Sequence, residues 1–318
     1  MSNEIFKTCL ICNQSFDKEE DFFSHVRFGH KMSQAAYFQS KYPRYDKQTG
    51  DIIKFKSRES YFENDFNDKR NLKKWLSLQD LETQKQWCID ALKKRKESKG
   101  LIYTPSQLEL RTVMIPSVNF LNGLFGDYYS LASELGFKNK YVELKSKLEI
   151  TPIDKNTNKI VIDTREQNPL VFQNFPTISQ KLDEGDYALE DESVSFKTRI
   201  ERKSVADLYG TLNKHNYSRF VREITRAKAK KVKMLVLIEG TFEQVYAFPH
   251  LPQCKTVKAS GDYIFHLMRG LIQSFPSIQF LFVKNREESV KVIETLLQTK
   301  GEWIKYDLQL AYDLGLLI

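Results

Sequence analysis

Met234-Leu-Val-Leu-Ile238 is an unbroken apolar run, and Ile278–Val283 is a second one interrupted by a single glutamine. A strand that is apolar on both sides must be covered on both sides, which is the condition of a parallel strand inside a layered α/β domain. Gly261–Gln273 and Glu287–Gln298 read as helices that alternate with these runs. That alternation predicts a largely parallel sheet with helices on both faces. Upstream, Lys159–Ile162 is a shorter run that delivers Asp163 at its end, followed by Thr164-Arg165-Glu166. Strand C-termini are where α/β sheets keep their chemistry.

The stretch Gly185–Asp207 lies between these runs. Ser195–Lys203 alternates well enough for a strand, and Glu190-Asp191-Glu192-Ser193 before it reads as a hairpin turn. Side chains two apart on a strand share a face, so Glu201 and Lys203 should project together while Arg202 points the other way. A partner strand over Lys181–Leu189 would bring Asp186 beside Glu201, and Gly185 permits a kink or a close approach just before it. Two carboxylates and a lysine at one sheet edge suit a hard divalent cation and an attacking water. Alternating acids and bases also describe an ordinary solvated face. The second acidic set at Asp163 and Glu166 weighs against that reading. Asp207 has a competing role of its own, because Ser204-x-x-Asp207 can cap a helix.

The blocks IVIDTREQ, GDYAL and ERKSVADLYGTLN occur in that order, and the stretch Lys159–Lys300 around them resembles the nuclease domain of the XPF family of structure-specific endonucleases, which includes the archaeal Hef nuclease. The matching positions are Asp163, Arg165, Glu166, Gly185, Asp186, Glu201, Arg202, Lys203 and Asp207. The resemblance implies a restriction-endonuclease-like α/β/α fold, a Mg²⁺ or Mn²⁺ site and cleavage of DNA. On that expectation Asp163, Asp186 and Glu201 hold the cation, and Glu166 completes the site directly or through water. Lys203 orients or deprotonates the attacking water, Arg202 holds phosphate or neighbouring acids, and Asp207 orients Lys203 or its helix. Many family members carry a tandem helix-hairpin-helix domain after the nuclease domain. Here the residues after Lys300 are expected to form one helix, with Trp303, Ile304, Tyr306, Leu310 and Leu314 packed on the nuclease domain or on a second copy. That puts the usual grip on branched DNA and the usual dimer in doubt, though a homodimer through the nuclease domain stays open.

Charge supports a polyanionic partner. The chain has a net charge of +8, and Lys214–Lys233 alone holds eight bases against one acid, Glu223. If Ser218–Lys230 is helical, Arg219, Arg222, Arg226 and Lys230 line one face at steps of three and four, while Phe220, Val221 and Ile224 pack inward. With Arg165 and Lys214, these are the expected contacts to double-stranded, possibly branched, DNA.

Cys9-x2-Cys12-x12-His25-x4-His30 fits a Cys₂His₂ zinc pattern, and Phe16 and Phe22 fall where a small ββα unit needs its core. A segment this short needs its metal to fold. Positions of a reading finger would be Lys18, Asp21 and Ser24. Zinc alone does not establish base reading, and a docking finger fits as well.

The middle is less legible. Met32–Tyr42 reads as a helix stopped by Pro43, and Asn71–Lys96 as one long amphipathic helix. Thr104-Pro105-Ser106-Gln107 reads as a helix start with a Thr-x-x-Gln box. Ser117–Leu124 and Ser130–Leu135 follow as short helices, in a stretch weakly similar to helical repeats of homing endonucleases. The expected division is a zinc finger over 1–31, a mainly helical DNA-binding region over 32–148, a linker over 149–158, the nuclease domain over 159–300 and a C-terminal helix over 301–318. Four cysteines argue against a disulfide framework, and no apolar run approaches a membrane span. The expected setting is intracellular: the cytoplasm or nucleoid of a prokaryote or its phage, or a nucleus if the source is eukaryotic. A branched-DNA endonuclease is the leading expectation. A sequence-directed homing or mobile-element enzyme is the alternative, and a non-catalytic DNA-binding scaffold the third.

Overall fold

The computed structural model describes residues 8–144, 158–191, 197–254 and 256–318. Residues 149–157 of the expected linker, and Glu192 and Ser193 of the expected turn, lie outside them. The chain divides into two compact units. One comprises Met1–Trp87 with Met114–Pro116, and the other Cys88–Val113 with Ser117–Ile318. This division runs through the 32–148 block rather than along its edges.

The second unit is built on a six-stranded sheet in the order β2-β1-β3-β4-β5-β6. The strands are β1 (Ile160–Ile162), β2 (Thr177–Ser179), β3 (Tyr187–Leu189), β4 (Thr198–Ser204), β5 (Lys233–Glu239) and β6 (Ile278–Val283). β1 pairs parallel with β2, and β4, β5 and β6 pair parallel in series, while β3 runs antiparallel to both its neighbours. The sheet is therefore mixed, because the eight residues between β3 and β4 are too few for the crossover that parallel neighbours require. The expected strand over Lys181–Leu189 is shortened to its last three residues.

Side-chain alternation sorts the sheet into two cores. Leu235 and Leu237 face one side with Ile200, Tyr187 and Ile160, against α13 (Arg286–Leu297) and Trp303. Met234, Val236 and Ile238 face the other, against α9 (Val205–Thr211), α10 (Tyr217–Ala229), α11 (Phe242–Ala247) and α12 (Gly261–Ser274). Trp303 and α14 (Leu308–Asp313) belong to the first core, so the C-terminal segment packs on the sheet unit as one of the two expectations had it. Leu314 is exposed.

Part of the middle segment is welded to this unit. Helices α6 (Gln107–Arg111), α7 (Val118–Phe125) and α8 (Tyr128–Glu134) precede the sheet in sequence. Leu108 enters the second core. Buried Asp307 accepts hydrogen bonds from the Gln107 amide at 2.5 Å, the Tyr129 hydroxyl at 3.1 Å and the Leu310 amide at 3.2 Å. Buried Glu109 accepts from the Ser106 amide at 2.8 Å and from Gln273 at 2.9 Å. Lys140 donates to the carbonyls of Ile272 and Ile278 at 3.2 Å, and burial lowers its pKa to about 8. The helix start differs from the Thr104 reading: Ser106 caps α6 in a box with Glu109, because Thr104 is taken up by Asn139 and the Lys138 carbonyl.

In the first unit, α1 (Glu19–Gly29) is followed by α2 (Gln34–Lys41), capped by Ser33, and α3 (Arg58–Glu63). The single helix expected over Asn71–Lys96 is two, α4 (Lys69–Ser77) in this unit and α5 (Leu81–Lys99), which the division after Trp87 cuts. Asp80 breaks them apart by accepting from the amide and hydroxyl of Thr83 at 2.9 and 2.7 Å, an N-cap that competes with helix continuation. Among the described residues no helix is long and apolar enough to cross a membrane.

Candidate metal centres and the acidic site

β4 carries the side chains at the centre of the site. Glu201 and Lys203 lie on the α10 side of the sheet, and Lys203 Nζ donates to Glu201 Oε1 at 2.8 Å. The Phe220 ring of α10 covers this pair, with its centroid 5.6 Å from Nζ. Arg202 points to the opposite face, as strand alternation requires. There it reaches Glu166 Oε1 at 3.0 Å, Glu239 Oε2 at 3.0 Å and the Asn168 carbonyl at 3.0 Å. The guanidinium thus holds neighbouring acids, one of the two roles expected of it.

Asp186 immediately precedes β3. Gly185 before it has φ +73°, and a Cβ there would come within 3.1 Å of the Ile200 carbonyl. Only glycine satisfies both conditions cheaply. The tight approach lets the Asp186 amide bond Ile200 O at 2.8 Å, and Asp186 Oδ2 accepts from the Arg202 amide at 2.7 Å. The carboxyl is pushed up to about 7, first by burial and next by the charge of Glu201 beside it, with the Arg202 amide opposing. Two carboxylates are therefore held together against their own repulsion. A divalent cation is the partner that such a donor pair fits.

Asp163 and Glu166 are placed differently. Asp163 Oδ1 accepts from the Arg165 amide and Nε at 2.8 and 2.7 Å, and Oδ2 from Leu182 N at 2.6 Å and Arg165 Nη2 at 3.1 Å. Burial would raise its pKa, but these hydrogen bonds prevail and hold it below the usual value. Both oxygens are already engaged in fixing the turn after β1. Glu166 pairs with Arg202. Neither joins Asp186 and Glu201 in a cluster: among the described residues, the cysteine–histidine set below is the group of three or more donors tight enough to hold a metal. Arg165, expected on DNA, is committed to Asp163 and to the Leu182 carbonyl at 2.8 Å, although its side chain is 63% exposed.

Asp207 completes a capping box with Ser204, accepting from its hydroxyl at 2.6 Å and its amide at 3.2 Å. This is the helix-capping alternative. It fixes the start of α9 directly after Lys203. On α10, Arg219, Arg222 and Arg226 are exposed, as is Lys214 in the loop before it. Lys230 falls just past the helix and is tied to Asp183 and Glu184 at 2.9 and 2.7 Å.

Two acids escaped the sequence reading. Glu239 ends β5 as Asp163 ends β1, so the strand-terminus argument applied to Asp163 would have found it. In the sequence Glu223 reads only as the lone acid of a basic stretch. Its carboxyl is raised by burial and by Glu201, and lowered by Lys203.

In the first unit the N-terminal metal motif closes on itself. Cys9 Sγ lies 3.4 Å from His30 Nε2, Cys12 Sγ 3.2 Å from His25 Nε2, and the two Nε2 atoms 3.0 Å apart. All four donor atoms fall within 4.8 Å of one another. Ligands of a tetrahedral ion at ~2.0–2.3 Å stand roughly 3.3–3.8 Å apart, so the four donors are gathered nearly as closely as the ligands of one ion and could hold a metal. Phe16 packs edge-on to Phe22 at 5.8 Å and against His25 at 4.8 Å, as expected. The hairpin is reduced to one bridge, Thr8 to Ser15, among the described residues. Core residues Cys9, Phe22 and Val26 continue into Tyr37, Phe38, Ile53 and Tyr61, so the finger shares its core with the segment behind it.

With this geometry in place, comparison with known proteins gives one family: residues 162–296, the stretch that holds the acidic site, match the ERCC4 domain. This is the stretch in which the motif blocks show the XPF resemblance. Two solved structures are similar to it. XPF from Aeropyrum pernix is 19% identical, with a TM-score of 0.34 over 45% of this chain and 67% of that one. The same protein in complex with DNA is 20% identical, with a TM-score of 0.33 over 44% and 62%. No curated protein matches the chain.

Proposed function

We propose that the protein is a metal-dependent DNA endonuclease that hydrolyses phosphodiester bonds in branched or flap-type DNA, using Asp186 and Glu201 as ligands of Mg²⁺ or Mn²⁺. The observation that carries this reading is the pair itself. Two carboxylates are brought together, one of them raised to about 7, with the Lys203 ammonium on Glu201 and an ERCC4 domain around them. A bound cation supplies a more acidic water and stabilises charge on the phosphorane. The chain's own residues do the rest. Lys203 can orient the attacking water and meet the developing negative charge from a half-dry position under Phe220. Arg202 keeps the Glu166 loop and the end of β5 in register with β4. Arg219, Arg222 and Arg226 offer a positive face for the phosphate backbone on the same helix that covers the pair. In-line attack by water leaves 5′-phosphate and 3′-hydroxyl ends. The Cys9, Cys12, His25 and His30 set takes Zn²⁺ in this reading, as the soft donors of a closed structural site. Assembly as a homodimer through the ERCC4 domain and an intracellular setting belong to the same proposal.

One observation favours a second reading. Helix α1 starts at Glu19, so Lys18, Asp21 and Ser24 occupy the base-reading positions of a finger, and all three are exposed. A finger that reads bases would make the enzyme sequence-directed. A non-catalytic scaffold would instead call for a broken carboxylate pair, and here the pair is whole. Cleavage of a flap and of random linear duplex by the zinc-loaded full chain in Mg²⁺ separates the readings. The leading one expects the flap to be cut at its junction and the linear duplex to survive. Efficient cutting of one linear sequence and indifference to the flap would replace it with the second.

A further inference from the structure

Lys203 sits on the oxygen that a cation would need. Its Nζ is 2.8 Å from Glu201 Oε1, and the side chains are only 11% and 17% exposed. Phe220 closes the pair from above. A cation that binds Glu201 therefore meets an ammonium already bonded there. Displacing that ammonium within a site so poor in water is costly unless a second acceptor stands near. Helix α10 brings one. Glu223 is three residues past Phe220, so it leaves the helix on the same face, one turn further along. It is the single acid among the eight bases of Lys214–Lys233, and it is half-buried where its neighbours Arg219, Arg222 and Arg226 are exposed. The charges of Glu201 and Lys203 act on its carboxyl ahead of those of Arg226 and Arg219, which sets it on the side of the helix towards the pair.

We propose that Glu223 is a positioning residue of this site: it is the second acceptor for the Lys203 ammonium, which moves to it when a divalent cation takes the Glu201 oxygen. The proposal rests on Asp186 and Glu201 being cation ligands. It gives the site two arrangements, with Lys203 on Glu201 before the cation binds and on Glu223 afterwards. In the second arrangement Lys203 would stay charged beside the carboxylate pair without neutralising Glu201.

The test is Mn²⁺ binding to the zinc-loaded full chain without DNA, read from the electron paramagnetic resonance signal of free Mn²⁺. Glu223→Gln keeps the size of the side chain and should weaken binding about tenfold, within the usual range of coupling between neighbouring sites. In a Lys203→Met background the same change should have no effect, because no ammonium needs a new partner. Lys203→Gln serves as a second ammonium-free background if Lys203→Met does not fold. An equal loss with and without Lys203 would mean that Glu223 acts only as a nearby charge, and would overturn the proposal. So would wild-type affinity in Glu223→Gln. If Asp186→Asn/Glu201→Gln leaves Mn²⁺ binding intact, the cation site itself is misplaced. If that double variant abolishes binding while Glu223→Gln is neutral, only the role of Glu223 fails.

Discussion

Two groups of buried acids in the sheet unit invite comparison. Asp307 and Glu109 lie in the junction between α6–α8 and the C-terminal segment, where amides, a hydroxyl and Gln273 donate to them. Asp186 and Glu201 lie across the β3–β4 pair in the middle of the sheet, where each has the other as a close like charge. Burial raises the pKa of Asp307 and Glu109 as it does that of Asp186. What differs is the partner set. Asp307 and Glu109 are met by donors, whereas Asp186 and Glu201, although bonded by the Arg202 amide and the Lys203 ammonium, still face one another, a like-charge pair that a cation would relieve. The same contrast recurs within the motif residues, since Asp163 and Glu166 are fully engaged by Arg165 and Arg202.

The comparison breaks if the two groups respond alike to substitution. The largest difference should appear in catalysis. Glu201→Ala or Lys203→Ala should reduce Mg²⁺-dependent cleavage about 10⁴-fold, with DNA binding retained in a gel-shift assay. Asp307→Ala should leave the chemistry of the remaining folded protein intact but cost about 3–5 kcal/mol of stability in urea unfolding, because it strands the Gln107 and Leu310 amides and the Tyr129 hydroxyl. An Asp307→Ala protein as stable as wild type would remove the structural half of the contrast.

The smallest effect has the opposite sign. The Asp186 carboxyl rises from 3.8 to about 7 on folding. Between those values the folded chain holds a proton that the unfolded chain has released, so the contribution of this group to stability falls as pH rises through the window. Asp186→Asn should therefore stabilise the cation-free protein at pH 8 by about 1–3 kcal/mol, and the gain should fade as pH falls towards 4. Thermal melts across that range check it. A loss of stability at pH 8 would mean that the Arg202 amide and the Lys203 charge hold the carboxylate more strongly than burial and Glu201 oppose it.

Much of this was legible in the sequence. Apolar runs located β5 and β6, and period-two alternation set Glu201 and Lys203 on one face and Arg202 on the other. Metal-ligand spacing brought Cys9, Cys12, His25 and His30 together. The rest was not legible because the partner a side chain takes is settled in three dimensions and leaves no mark on periodicity or spacing. Asp163 reads as a ligand until Leu182 and Arg165 close on it. Asp307 carries no local sign that Gln107 and Tyr129 will meet it. The helix break at Asp80 turns on whether a side chain caps an amide three residues on, a choice that periodicity does not record. Lys230 likewise reads as a DNA contact on helical spacing, and only the fold shows Asp183 and Glu184 beside it.

The central claim is that Asp186 and Glu201 share a divalent cation. Crystals of the zinc-loaded protein soaked in Mn²⁺ and measured at the manganese absorption edge test it directly. One anomalous peak is predicted between the two carboxylates, within ~2.0–2.3 Å of an oxygen of each. An empty gap there, or a peak on Asp163 and Glu166 instead, would contradict it.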